Sequence, residues 1–171
     1  SIKMHALFIR PEQPSDIVSI STLIQHAFQT VPYSDHTEHF IVDALRHTQQ
    51  LTLSLVAIKA NEIVGHIAIS PVKISTGLDA WYGLGPLAVH PTQQHQGIGS
   101  ALVQTALQHL KTQHAAGCVV LGDPDYYAKF GFQPTALQLA DVPAHYFQAL
   151  CFEDATATGW VSYAEAFSAT S

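Results

Sequence analysis

Charge is scarce in this chain: 12% of its residues are Asp, Glu, Lys or Arg, against 47% hydrophobic. That composition excludes a disordered chain and fits a folded one with a sizeable core. The basic residues Lys3, Arg10, Arg46, Lys59, Lys73, Lys111 and Lys129 are scattered, so no stripe exists for a nucleic-acid backbone and no nucleic-acid partner is expected. Cysteine is rarer still. Cys118 lies within an apolar run and Cys151 near the tail, which reads as two free thiols in a reducing cytosol rather than a disulfide. No uncharged apolar run approaches the roughly 18 residues that cross a bilayer. The first residues also lack a basic-then-apolar leader, so the expectation is a cytoplasmic protein with no membrane partner. Repeats, linkers and low-complexity segments are missing too, so residues 1–171 read as one domain. Histidine alone is abundant, with 11 copies. His36 and His39 could share a helix face, but no third ligand stands near them in sequence, and no metal is expected.

Hydrophobic spacing orders the elements. A strand is predicted over Met4–Ile9, then a helix capped by Ser15 or Asp16 with Ile17, Ile20, Leu23, Ile24, Ala27 and Phe28 on its apolar face. Val31-Pro32-Tyr33 breaks it, and Ser34 or Asp35 starts a second helix bearing Phe40, Ile41, Ala44 and Leu45. Leu51 to Ala57 and Ile63 to Ile69 alternate as the arms of a hairpin turning at Asn61. A further strand ends at Val89. Cys118 to Leu121 is a wholly apolar strand, followed by a short helix with Asp123 as N-cap, Pro124 at its first position and Gly131 past its end. Tyr146–Phe152 and Trp160–Tyr163 read as closing strands.

The stretch from Gly85 to Leu102 carries the chemistry. An apolar strand stops at Pro91, a polar loop follows, and then Ile98, Leu102, Ala106 and Leu110 recur every four residues along a helix. Two glycines, Gly97 and Gly99, let a ligand approach the backbone with no Cβ in the way. Free N–H groups in the first helical turn, with the positive end of the helix dipole, make an anion site. A dinucleotide fingerprint would need glycine where Leu102 stands, and a Walker-type loop would need Gly-Lys-Ser/Thr, which is missing.

Gln94-x-x-Gly97-x-Gly99, preceded by Leu87-Ala88-Val89, resembles the acyl-CoA loop of the GNAT superfamily of N-acetyltransferases. Tyr127-Ala128-Lys129-Phe130-Gly131-Phe132 is similar to the ending these enzymes carry after their fifth strand. The phrases Leu84–Val89, Leu121–Tyr127 and Gly159–Phe167 look like one bacterial subgroup of N-acetyltransferases. The resemblance spans essentially the whole chain. It implies an α/β (α+β) fold: a mixed, mostly antiparallel central sheet of six to seven strands, splayed between the fourth and fifth, flanked by about four helices.

The resemblance also implies a site. Acetyl-CoA would be the cosubstrate, its pantetheine arm lying along Leu87, Ala88 and Val89, with the Val89 N–H steadying an oxyanion. Backbone amides of Gln94, His95, Gln96, Gly97, Ile98, Gly99 and Ser100 would hold the diphosphate. Tyr127 falls where many GNAT enzymes keep a general acid for the departing thiolate. Giving a proton from tyrosine near pKa ~10 to a thiolate near ~8.5 runs uphill by roughly 2 kcal/mol in water, a deficit an apolar tunnel reduces. The family's strand-four glutamate base would fall at Gly83, leaving His66, Tyr82, His90 or a backbone-held water as bases. The partner would be an amine, on a small molecule, peptide or protein, entering over Phe28 to Phe40 and the loop after Val142. An exposed closing strand could pair with a second copy as a homodimer. A non-catalytic acyl-CoA sensor that kept the loop and lost the base also fits Gly83. A dinucleotide oxidoreductase is disfavoured by Leu102 and by the missing acidic ribose partner.

Overall fold

Leu55 and Ala57 face one side of their strand and Val56 the other, and all three are fully buried. Such period-two alternation with burial on both sides demands a sheet covered on both faces. The computed structural model describes residues 5–171, so Met4 lies outside the described residues. The sheet runs β1(Leu7–Pro11), β2(Leu53–Lys59), β3(Glu62–Pro71), β5(Trp81–Val89), β6(Gly117–Leu121) and β8(Phe147–Cys151) in that spatial order. Every neighbouring pair is antiparallel except β5 and β6, which are parallel. On one face lie α3(Ile98–Thr112) and the short α4(Pro124–Ala128). Ile98, Leu102, Ala106 and Leu110 of α3 are buried against Leu55, Ile67 and Ile69. On the other, α1(Ile17–Phe28) sets Ile20, Leu23 and Ile24 against Val56, Ala68 and Ala88, and α2(Glu38–His47) adds Val42.

Both expected closing strands form, the second of them in a separate small sheet. β9(Gly159–Ser162) does not extend the main sheet; it lies between β4(Lys73–Ile74) and β7(Leu137–Gln138). Val161 there is buried with Trp81, Val119 and Phe147, so this small sheet covers the face of β6 and β8 that α1 and α2 do not reach. Two helix starts also differ from expectation. The Asp16 carboxylate caps no amide of α1. It takes the Gln13 N–H at 2.7 Å and pairs with Arg10 at 2.7 and 3.1 Å, because a 3-10 turn over Pro14–Asp16 intervenes. α2 begins at Glu38 rather than beside Ser34, whose hydroxyl accepts the His36 N–H and donates to Glu38.

His66, a candidate base on sequence, is a buried strut. Ser54 donates to Glu12, so its oxygen accepts from His66 Nε2–H at 2.8 Å, and Arg46 closes the network onto Glu12 at 2.8 and 2.9 Å. His66 Nδ1 has no partner among the described residues. Burial pushes the imidazole from 6.5 down to about 4, against the attraction of Glu12 and with repulsion from Arg46. Between those values the unfolded chain binds a proton that the native one does not, so stability falls as pH drops. The unfolding free energy of the native chain is expected to fall from about pH 7 to about pH 5 by up to about 1.4 kcal/mol per pH unit, and His66→Gln to flatten that slope. Equal slopes in urea titrations of both proteins would refute this origin.

Candidate functional site

β5 and β6 pair over Trp81↔Gly117, Tyr82↔Cys118 and Gly83↔Val119 and then part. The cause lies in β5: its register against β3 slips between Ile69↔Leu84 and Ile67↔Leu87, a bulge holding Gly85 and Pro86. A bulge bends the strand that carries it, and Pro86 has no N–H to offer a neighbour. Beyond the bulge the His90 N–H points to β3, bonding Val64 at 2.8 Å. Backbone directions alternate along a strand, so the Leu87 and Val89 amides face the gap.

The chain leaves β5 through a 3-10 turn over Pro91–Gln93 and enters α3 at Gly97, whose φ of +83° is left-handed. There glycine is unstrained. Among the described residues, the amides from Gln94 to Ser100 donate to no protein acceptor; the first that does is Ala101, to Gly97 at 3.0 Å. A 15-residue helix thus opens on seven unpaired donors. The cation at this loop comes from β2: Lys59 Nζ lies 3.0 Å from the Gln96 side-chain oxygen.

A cavity of about 1020 Å³ joins this cradle to the opposite face of the sheet through the gap. Of the residues singled out from sequence, Leu87, Val89, Gln94, His95, Gly97, Ile98, Gly99, Ser100 and Tyr127 line it. Ala88 and Gln96 do not. Ala88 points to the α1 face by the strand's pleat, and Gln96 turns outward to Lys59. On the far side, Phe28 of α1 and Glu38 and Ile41 of α2 line the opening, with Tyr33 between the helices. The entrance expected over Phe28 to Phe40 therefore meets the cavity. From the C-terminal third, Leu139, Tyr163 and Phe167 reach it, whereas the loop that directly follows Val142 does not.

Two tyrosines of α4 face the cavity, not one. Tyr127 packs edge-on against Phe132 and Tyr126, and its ring fills the space above Gly122, where a Cβ would lie 2.7 Å from it. Burial first, then neighbouring Tyr126, pushes its hydroxyl above the ordinary tyrosine range. Tyr126 extends its hydroxyl to within 3.4 Å of Ser100 Oγ, over Gly99. Lys129 lies over the Tyr126 ring at 4.2 Å.

The position expected for a strand glutamate is filled from elsewhere. A Cβ on Gly83 would lie 2.5 Å from the Tyr163 ring, so this tyrosine occupies the slot. Neither His66, Tyr82 nor His90 lines the cavity; His90 turns its Nδ1 to Thr92 instead. Gly83→Glu is therefore expected to destabilise by about 1–3 kcal/mol through overpacking and to bring no gain in rate. Urea denaturation checks the first; a variant of unchanged stability would show that Tyr163 yields its place freely. Among the described residues, no group of three or more His, Cys, Asp or Glu could hold a metal ion. Cys118 and Cys151 are both free, and among the described residues no helix is long and apolar enough to cross a membrane.

Comparison with known proteins agrees with this geometry. A family model described as an acetyltransferase (GNAT) domain matches residues 50–134. The chain is 35% identical over 131 residues to YhbS of Escherichia coli, an uncharacterized N-acetyltransferase, covering 76% of this chain and 75% of that one. The crystal structure of a GNAT family acetyltransferase from Brucella melitensis in complex with acetyl-CoA is 43% identical. It superposes with a TM-score of 0.86 over 96% of this chain and 99% of that one. The structure of Escherichia coli YhbS in complex with CoA gives a TM-score of 0.88 at 31% identity, over 98% and 95% of the two chains.

Proposed function

Because the chain belongs to the GNAT family of acetyltransferases, we propose that it moves an acetyl group from acetyl-CoA to a primary amine by direct attack in a ternary complex. The observation that carries the reading is a single cavity open to seven unpaired amides at one end and to the α1–α2 mouth at the other. Acetyl-CoA supplies the acetyl group activated as a thioester. The amides from Gln94 to Ser100 bind its diphosphate, helped by the α3 dipole. The Leu87 and Val89 amides pair with the arm along the open edge of β5. The Val89 N–H stabilises negative charge on the carbonyl oxygen as the amine nitrogen bonds to the carbonyl carbon. Tyr127 donates a hydrogen bond to the sulfur as the carbon–sulfur bond breaks, and the departing thiolate takes its proton from the water that receives the amine's. The amine sheds its proton to water in the α1–α2 mouth, since no imidazole lines the cavity apart from His95 at the cradle end.

The second reading is the acyl-CoA sensor, which Gly83 favours by leaving no strand carboxylate. Calorimetry with acetyl-CoA, paired with thiol release across a panel of amines, separates the two. Amine-dependent thiol release is the expected result. Tight binding with no turnover, indifferent to Tyr127→Phe, would establish the sensor.

A further inference from the structure

The cavity is polarised in charge. Its charged lining at the α3–α4 end consists of Asp123 and Lys129, with His95 nearby. At the α1–α2 end, Glu38 is the one charged side chain among the described lining residues, and no Lys or Arg stands there. Glu38 is held in place: Ser34 Oγ lies 2.8 and 2.7 Å from its two oxygens. Around that mouth stand the aromatic rings of Phe28, Tyr33, Tyr163 and Phe167. A carboxylate beside aromatic faces recognises a cation, and a carboxylate-bearing acceptor would meet a like charge with nothing to neutralise it.

We propose that the acceptor is a primary amine carrying a second positive charge and no carboxylate, with Glu38 holding the non-reacting cation. The assignment rests on the acetyl-transfer reading. A reason for the second charge lies in the reaction itself. The attacking nitrogen must be neutral, and a lysine-like amine near pKa ~10.4 is neutral in only about one molecule in 2,500 at pH 7. A nearby positive charge on the same molecule lowers the pKa of the reacting ammonium. If Glu38 gripped the reacting nitrogen itself, it would instead favour the protonated, unreactive form. Holding the distal cation avoids that, and the apolar lining accommodates the methylenes between the two. The chain's formal charge of −6 further favours encounter with a cation.

Three amines of equal length test it on the full chain: cadaverine, pentylamine and the ω-amino acid of the same five-carbon length, differing only in a distal positive, neutral or negative end. Thiol release from acetyl-CoA is expected to give kcat/KM about ten-fold higher for cadaverine than for pentylamine, with the amino acid slowest. Glu38→Gln should erase the order through a raised KM for cadaverine, and Glu38→Lys should invert it. A flat order in the native chain overturns the assignment while leaving acetyl transfer standing. So does a preference that survives Glu38→Gln, or turnover of the other amines without cadaverine. Failure to bind acetyl-CoA in calorimetry overturns the parent reading, and this one with it.

Discussion

Gly99→Glu is expected to leave the chain folded and to weaken CoA binding by at least about a hundred-fold. The two halves of that result have separate causes. Gly99 lies in the first turn of α3, where glutamate improves helix propensity by roughly 0.5–1 kcal/mol and complements the dipole. The one tight neighbour of the new Cβ would be the Tyr126 hydroxyl, at 3.0 Å, the far end of a side chain that can swing aside; Val89 and Leu87 lie at 3.6 and 3.8 Å, in ordinary contact. The melting temperature should therefore hold or rise. Binding is another matter, because the same dipole that welcomes the carboxylate was the attraction for a diphosphate. Two unit charges about 4 Å apart repel by roughly 4 kcal/mol at an effective dielectric of 20, and about two-thirds of that already amounts to a hundred-fold loss. Gly99→Ala, which adds bulk without charge, should cost only a few-fold. Calorimetry with CoA on both variants decides it. A Glu variant that binds like the native chain would mean that the diphosphate lies elsewhere.

The cradle was legible in sequence because its physics is local. Gly97 and Gly99 between a strand and an amphipathic helix specify free amides without reference to the rest of the chain, and those amides are unpaired. The periodicity of α3, the Asp123 cap with its bond to the Asp125 N–H at 3.0 Å, and the hairpin of β2 and β3 are equally local. What escaped is whatever depends on distant partners. Lys59 meets Gln96 across 37 positions, and no spacing rule announces it. Glu38 reads in sequence as a helix-start carboxylate; only the approach of α2 to Tyr163 and Phe167 makes it part of a cavity. The glycines show both cases. Gly97 could be read directly as a turn residue, but Gly83 and Gly122 are small because the rings of Tyr163 and Tyr127 stand over them. Two tyrosines around the cavity thus depend on two missing side chains, a pairing visible only once the sheet and its tail are assembled.

Tyr127→Phe is expected to lower kcat by about 10- to 100-fold while changing acetyl-CoA affinity little. The substitution keeps the ring that packs on Phe132 and fills the space above Gly122, so it removes the hydroxyl and nothing else. Burial drives that hydroxyl above its ordinary pKa, which makes it a poorer acid but keeps it neutral, with its hydrogen available, across the working range. A hydrogen bond to a charged acceptor contributes roughly 1.5–3 kcal/mol, and the sulfur becomes charged only as it departs, so the loss belongs in kcat rather than in binding. The pH profile distinguishes this from a packing role. In the native chain the rate should climb with pH as the amine loses its proton and should show no alkaline fall near pH ~10, since a tyrosine pushed upward stays protonated there. In the Phe variant the climb should persist at a lower level. A thiol-release assay in which the Phe variant keeps kcat within two-fold would reduce Tyr127 to a packing residue and hand the leaving group to Tyr126, whose hydroxyl faces the same cavity beside Ser100.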